Sequence, residues 1–163
     1  MKQNIRDLKY RRNVDFDRIS SDISNGAYIR IGKGSGRIVY DLGNGQVVKK
    51  AINRKGFAQN EVEFRISQMD DSGLFAKVLS ASEGLQFLVM DKADRINNIS
   101  TVWKYFHVRN NKELYQLREL KDLSFKYNLL LRDLGRAVNW GQINGKPIIV
   151  DYGFTQQVRR RYY

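Results

Sequence analysis

The chain has 163 residues, of which 42% are hydrophobic and 28% charged, a composition that indicates a globular domain and not a disordered or membrane protein. It contains no cysteine, so neither a disulfide framework nor a thiolate metal site is possible. Its 29 Lys and Arg residues against 17 Asp and Glu give a net charge of +12, which favours anionic partners such as nucleotides and nucleic acids.

No segment has the roughly 20 apolar residues that a membrane-spanning helix needs, and the N-terminal residues lack the apolar core of a signal peptide. We therefore expect no membrane partner and a cytoplasmic location. Residues 1–26 are polar and end in a turn-like segment, which predicts a short helix or arm packed on the strands after it. Basic clusters lie at 9–12 and 159–161, and each fits a solvated surface as well as a surface that attracts anions.

The segment after residue 26 has the pattern of β-strands. Residues 28–31 and 37–42 are rich in β-branched and aromatic side chains and flank a glycine-rich turn. Residues 46–52 continue the pattern after Asn44 and Gly45, a pair that suits a type I′ hairpin turn. A meander of three antiparallel strands is therefore predicted.

The middle of the chain carries both helix and strand signals. Residues 56–69 are predicted to form a helix, and 76–79 and 85–90 two further strands. A short helix is predicted near 100–107, and a longer one from about 111 to 130, where leucines recur every three or four residues.

Two short strands, 140–143 and 148–151, complete the predicted elements and are joined by the Asn144-Gly145 turn. A mainly antiparallel sheet followed by helices, without a run of βαβ units, predicts the α+β class.

The turn between the first two strands contains Gly32, Gly34, Ser35 and Gly36. Glycines let the backbone come close to a ligand, and successive N–H groups form a concavity for anions. This is not a Walker A loop, because no Gly-Lys-Ser/Thr follows and the next element is a strand. Taken alone, the motif indicates a hairpin more readily than a phosphate site.

The third strand carries two adjacent lysines. Alternation places Lys49 on the same face as Ala51, so Lys49 should point inward and Lys50 into solvent. An inward lysine needs a counter-charge, and the helix after this strand offers Glu61 and Glu63.

Two acidic motifs lie in the second half. Arg132 and Asp133 come directly after the long predicted helix, and Asp151 ends an apolar strand and precedes Tyr152 and Gly153. A carboxylate at the end of a strand is suited to Mg²⁺, because hard cations take oxygen ligands.

The order of these four motifs resembles the protein-kinase-like superfamily, and especially the small kinase-like proteins found in bacteriophages. The resemblance covers about residues 28 to 155 and implies a minimal bilobal fold that binds ATP and Mg²⁺ between two lobes. It implies one domain over 1–163, with an antiparallel β N-lobe at about 27–91 and a truncated helical C-lobe at 92–163. A phage origin would place the protein in the host cytoplasm.

The resemblance also implies roles for individual residues. The implied cofactor-binding residues are Gly32, Gly34, Ser35, Gly36, Val39, Lys49, Glu63, Met90 and Asp94. Lys49 would hold the α- and β-phosphates and Glu63 would pair with it, with Glu61 as the alternative. Met90 would lie at the inter-lobe hinge, beside the adenine.

Catalysis is implied at Asp133, Lys49 and Arg132, and metal binding at Asp151 and Asn139. Asp133 would orient or deprotonate the acceptor hydroxyl, whether the acceptor is a protein or a small molecule. Asn139 lies six residues after Asp133, one more than usual, so either this loop is longer or another residue takes that role.

Three further departures separate the sequence from the family pattern. The glycine loop is one residue short, Leu131 stands where the catalytic loop has histidine, and ten residues (154–163) follow Gly153. The truncated second lobe leaves open a non-catalytic, pseudokinase-like nucleotide-binding regulator. The net charge of +12 with nine Tyr and two Trp leaves open a basic nucleic-acid-binding protein. The latter would use aromatic stacking, but the apolar surroundings of Trp103 and Trp140 favour core positions for both.

Overall fold

The computed structural model describes residues 14–163, so the predictions for residues 1–13, including the basic cluster at 9–12, lie outside the described residues. The described residues form two compact units, one of residues 14–64 and 77–92 and one of residues 65–76 and 93–163. The predicted α+β class with an antiparallel N-terminal sheet is confirmed.

The first unit is built on a five-stranded antiparallel sheet with strand order β1-β2-β3-β5-β4. Its strands are β1 (Ile29–Lys33), β2 (Arg37–Asp41), β3 (Gln46–Ala51), β4 (Val78–Ala81) and β5 (Phe87–Asp91). The ladder pairs Val39 of β2 with Lys49 of β3. Lys49 in turn pairs with Leu88 of β5. Lys49 therefore lies on the central strand of the sheet, with a neighbour on each side.

Helix α1 (Phe16–Ser24) confirms the helix expected before the sheet. Asp15 caps it by accepting a hydrogen bond from the Arg18 N–H at 2.9 Å, which satisfies a backbone donor that the first turn leaves unpaired. Ile19 of α1 packs in one core cluster with Val48 of β3 and with Phe87 and Val89 of β5. Helix α1 thus covers one face of the sheet.

Helix α2 (Arg54–Met69) supplies the contacts on the other face. Its Glu63 bonds to Lys49, which lies on the opposite side of β3 from Val48. Gly56, in the first turn of α2, lies so close to the hairpin that a Cβ on Gly36 would be 2.7 Å from the Gly56 nitrogen. Two glycines are needed at this contact because any side chain there would collide with backbone.

The second unit contains short helices and a three-stranded sheet with strand order β6-β7-β8. Its elements are β6 (Asp94–Arg95), α3 (Ser100–Tyr105), α4 (Asn111–Leu114), α5 (Arg118–Tyr127), β7 (Trp140–Ile143), β8 (Lys146–Ile149) and α6 (Gln156–Tyr162). Phe75 bridges to Ile149 and its ring contacts those of Tyr127 and Tyr152, with centroids 5.7 and 4.7 Å apart.

The single helix expected over 111–130 is wrong: the segment forms α4 and α5 with a break at Leu117, whose ψ of 125° is extended. The leucines recur every three residues, so each step falls about 60° short of a full turn and the stripe rotates around an ideal helix. The break lets Leu114 and Leu120 both reach full burial.

The type I′ turn expected at Asn44-Gly45 is also wrong, because Gly43 and Gly45 have positive φ and Asn44 does not. The Asn44 side chain accepts a hydrogen bond from the Gln46 N–H at 3.1 Å, which favours an Asx-type loop. At Asn144 and Gly145 both φ angles are positive, 52° and 77°, as a type I′ turn requires.

Strand β6, which pairs with β7, was not predicted, because two residues give no periodic signal. Among the helices of residues 14–163, none combines the length and the apolar character needed to cross a bilayer.

Candidate functional site

In the first unit, Lys49 and Glu63 form a buried ion pair. The Lys49 Nζ lies 2.9 Å from each Glu63 carboxylate oxygen. The side chains are 7% and 0% exposed, whereas Lys50 is only half-buried and Glu61 is exposed. The predicted inward Lys49 and its predicted preference for Glu63 over Glu61 are therefore confirmed as geometry, while their role in nucleotide binding stays a prediction.

Arg37 also binds Glu63, a contact that sequence reasoning missed. Its guanidinium donates to Oε1 at 3.0 Å and lies 2.8 Å from Oε2, a two-pronged geometry that suits a carboxylate. Arg37 is 5% exposed, and it donates a further hydrogen bond to the Asn60 side-chain oxygen at 3.2 Å. Glu63 therefore has two cationic partners.

The alternation of side chains along β2 could have predicted the position of Arg37. Arg37 and Val39 are two apart on β2, so they share a face, and Val39 is the cross-strand partner of Lys49. Parity alone places Arg37 on the same face as Lys49, where an arginine needs a carboxylate.

The charges of this triad keep Glu63 ionised. Burial alone would raise the pKa of the Glu63 carboxyl, but the adjacent Arg37 and Lys49 outweigh it and lower that pKa from 4.5 to about 2.

The glycine-rich segment forms a tight hairpin. Gly32 pairs with Val39, and the Gly34 N–H donates to the Arg37 carbonyl at 2.9 Å. The Ser35 carbonyl accepts from the Asn53 side chain at 2.8 Å. This carbonyl anchors the tip, while Gly34 and Ser35 themselves are exposed.

Met90, implied for the hinge, and Asp94, implied for cofactor binding, have different environments. Met90 is 1% exposed on β5, where it pairs with Val47 and Val78. Asp94 is exposed on β6 and pairs with Gln142. Met90 is thus a core side chain of the first unit.

In the second unit, two hydrogen bonds bring the acidic motifs together. The Asn139 side-chain nitrogen donates to the Asp133 carbonyl at 2.8 Å. The Val150 N–H donates to the Asn139 carbonyl at 2.8 Å, which brings the residue before Asp151 to the same loop. The predicted neighbours Asp133, Asn139 and Asp151 therefore belong to one cluster.

The cluster raises the pKa of the Asp133 carboxyl. Burial is the main cause and the negative charge of Asp151 adds to it, whereas Arg136 and Arg159 act in the opposite direction. Asp133 is half-buried, and Arg132 beside it is exposed. A carboxyl with a perturbed pKa beside a second carboxyl is a candidate for acid–base chemistry.

Tyr152 fixes the backbone after Asp151. Its hydroxyl donates to the Ala76 carbonyl at 2.6 Å, and the side chain is 3% exposed. A phenylalanine at this position would have no hydroxyl and could not make this hydrogen bond. The segment bearing Asp151 is therefore held at the next residue.

The donor set of the cluster suits Mg²⁺ bound together with a nucleotide. Within residues 14–163 no group of three or more His, Asp or Glu side chains is placed to hold a metal ion. Mg²⁺ does not require such a cage, because it is commonly bound by one or two carboxylates together with nucleotide phosphates. Asp133, Asp151 and the Asn139 amide supply oxygen donors, so these residues fit a Mg²⁺ ion bound together with a nucleotide.

The C-terminal helix α6 adds positive charge beside this cluster. Thr155 caps α6 and bridges to Leu129, which ties the start of the helix to the chain just before the Asp133 loop. Arg159 lies one turn later. An open groove of about 430 Å³ is lined by Asn128, Gln157, Arg160 and Arg161.

The fold and site define an α+β protein with a buried Lys-Glu-Arg triad in one unit and an acidic cluster in the other. No family model matches the sequence, and no curated protein does either. Among solved structures the chain is similar to the crystal structure of the Mycobacterium tuberculosis PknI kinase domain, with a TM-score of 0.43 and 15% identity. The match covers 80% of this chain and 61% of that one, so the chain spans about three fifths of that kinase domain.

Proposed function

We propose that the chain is an ATP- and Mg²⁺-dependent phosphotransferase of the protein-kinase-like type, and the buried Lys49–Glu63 pair is the observation that carries this proposal. A lysine is costly to bury, and here it is held on the central strand by a carboxylate from the next helix. The glycine hairpin joins β1 and β2 of the same sheet, and β2 pairs with the strand that carries Lys49. Phosphoryl transfer needs such a fixed cation, because its catalysis consists mainly of positioning and charge stabilisation.

The first unit would bind the phosphates. Lys49, oriented by Glu63, would hold the α- and β-phosphate oxygens. The exposed tip of the hairpin at Gly34 and Ser35 would lie over the phosphates. The roles implied for Gly32, Gly36, Val39, Met90 and Asp94 stay predictions of the resemblance.

The second unit would supply the acid–base and metal groups. Asp133 would accept the proton of the acceptor hydroxyl, since its raised pKa brings it closer to neutral pH than an ordinary carboxylate. Asp151 and the Asn139 oxygen would ligate Mg²⁺, which when bound offsets the charge on the transferred group. Arg132 would offset charge from the exposed side of the loop.

The proposal is tested by turnover. Asp133→Asn and Asp151→Asn should abolish phosphate transfer to any acceptor, with ATP hydrolysis as the minimal readout, while circular dichroism stays that of the wild type. Glu61→Gln is the matched control, because Glu61 is exposed and should leave activity unchanged. Full activity in both aspartate variants would contradict the mechanism.

A polyanion-binding function is the second candidate, favoured by the groove lined by Arg160 and Arg161. Its stacking component has little support, because Trp140 is 2% exposed and donates its indole N–H to the Leu134 carbonyl. This function predicts that RNA or DNA affinity falls steeply as the salt concentration rises. If the Arg160→Gln, Arg161→Gln double variant no longer shows this salt dependence, polyanion binding would be favoured over the phosphotransferase.

A further inference from the structure

We infer that Arg37 is a positioning residue for nucleotide binding: it holds Glu63 ionised and in place, so that Lys49 can engage phosphate without leaving a buried carboxylate unpaired. This inference rests on the proposed function, which assigns Lys49 to the phosphates. Without Arg37, Lys49 would have to neutralise Glu63 and bind phosphate at the same time. With Arg37 present, Glu63 keeps a counter-charge while Lys49 binds phosphate.

The geometry of Glu63 carries the first step. Its two oxygens receive four contacts, two from Lys49 at 2.9 Å and two from Arg37 at 3.0 and 2.8 Å. A carboxylate has about four acceptor positions, so Arg37 and Lys49 together satisfy it. If Lys49 turns toward a phosphate, Arg37 still provides a two-pronged partner.

Burial makes this second partner necessary. Glu63 is fully buried, and a carboxylate without a counter-charge in such a place is strongly disfavoured. With Lys49 as its sole partner, every movement of the ammonium toward a ligand would leave the carboxylate less compensated. Arg37 removes that penalty from the binding step.

The guanidinium is itself held in position. Asn60 accepts from Arg37 at 3.2 Å and donates its amide to the Leu85 and Gln86 carbonyls at 2.9 and 3.2 Å. Because Asn60 and Glu63 are three apart on α2, both contact Arg37 from one face of that helix. The network therefore fixes α2 to the sheet by Arg37 as well as by Lys49.

The experiment compares Arg37→Met and Arg37→Lys with Arg30→Met, a control whose arginine is exposed on the same sheet. Calorimetry with ATP, ADP, AMP and adenosine measures whether the loss depends on phosphate. We expect Arg37→Met to weaken ATP and ADP by roughly tenfold or more and adenosine hardly at all, because only the phosphates compete for Lys49.

Arg37→Lys should recover part of the affinity, since it restores the charge without the two-pronged geometry. Unchanged ATP affinity in Arg37→Met would overturn the inference. So would an equal loss for ATP and adenosine, which indicates a general structural defect. If Arg37→Met does not fold, Arg37→Lys decides by the same phosphate dependence.

A second readout does not require nucleotide. Carbon-13 NMR of the side-chain carboxyls tracks the Glu63 titration in the ligand-free protein. Arg37→Met should raise the Glu63 pKa more than Lys49→Met does, because Arg37 is the stronger of the two cations that lower it. A wild type that binds no nucleotide refutes the proposed function alone; an unchanged Glu63 pKa in Arg37→Met refutes the role of Arg37.

Discussion

Replacing Glu63 with glutamine should be the most damaging single change in the first unit. The variant leaves Arg37 and Lys49 buried, 6% and 7% exposed, without their carboxylate. Removing one partner of a buried ionic cluster typically costs about 3 to 5 kcal/mol of unfolding free energy. Lys49→Met should cost clearly less, because it leaves a balanced Arg37–Glu63 pair.

The pKa of Glu63 gives a second measure of the same interaction. Its lowering from 4.5 in the unfolded chain to about 2 in the folded protein corresponds to about 3 kcal/mol. Because the folded pKa is the lower one, this stabilisation is complete above pH 4.5 and is lost as the pH falls toward 2. Glu63→Gln should lack this contribution at every pH.

The assay is urea denaturation from neutral to acidic pH, monitored by far-UV circular dichroism, since both tryptophans lie outside the first unit. The readout is the difference between wild type and Glu63→Gln, because Asp41 and Glu113 also have lowered pKa values and titrate in both proteins. The difference should shrink by about 3 kcal/mol from pH 6 to pH 2. A difference that stays constant with pH would refute the reasoning.

The glycine contact and the acidic cluster give two further predictions. Gly56→Ala should cost about 1 to 3 kcal/mol of stability in thermal denaturation despite its better helix propensity, because the new Cβ meets the Gly36 backbone; Gly34→Ala, with nothing within 4 Å, should be close to neutral. The acid limb of the activity–pH profile should lie above the ordinary pKa of an aspartate, because activity needs ionised Asp133 and burial raises its pKa. Arg159→Met should move this limb to higher pH, since the positive charge that it removes lowers the Asp133 pKa, and an unmoved limb would exclude Asp133 as its source.

Local patterns were sufficient to predict the elements of the sheet unit. The alternation that placed Lys49 inward also fixed its face, and the helix after β3 brought Glu63 to it. These features depend on short-range periodicity, which a sequence displays directly.

Contacts between distant segments were harder to predict. Arg37 and Glu63 are 26 residues apart. An arginine at the start of a strand is expected on the surface unless the register between β2 and β3 shows that it shares a face with Lys49. The broken helix at Leu117 and the loop at Asn44 were missed for a related reason, since burial on two sides and side-chain hydrogen bonds overrode the simple pattern. Asp133, Asn139 and Asp151 were predicted together, but the hydrogen bonds that join them come from loop geometry.

The most direct test of the central claim is calorimetric binding of ATP, with and without Mg²⁺, to the wild type and to Lys49→Ala, Asp151→Ala and the control Lys50→Ala, whose lysine is half-buried. We expect the wild type and Lys50→Ala to bind Mg·ATP alike. Lys49→Ala should weaken binding under both conditions, and Asp151→Ala should remove the effect of Mg²⁺. Absence of ATP binding by the wild type, or equal binding by all four proteins, would contradict the assignment of a nucleotide site to this fold.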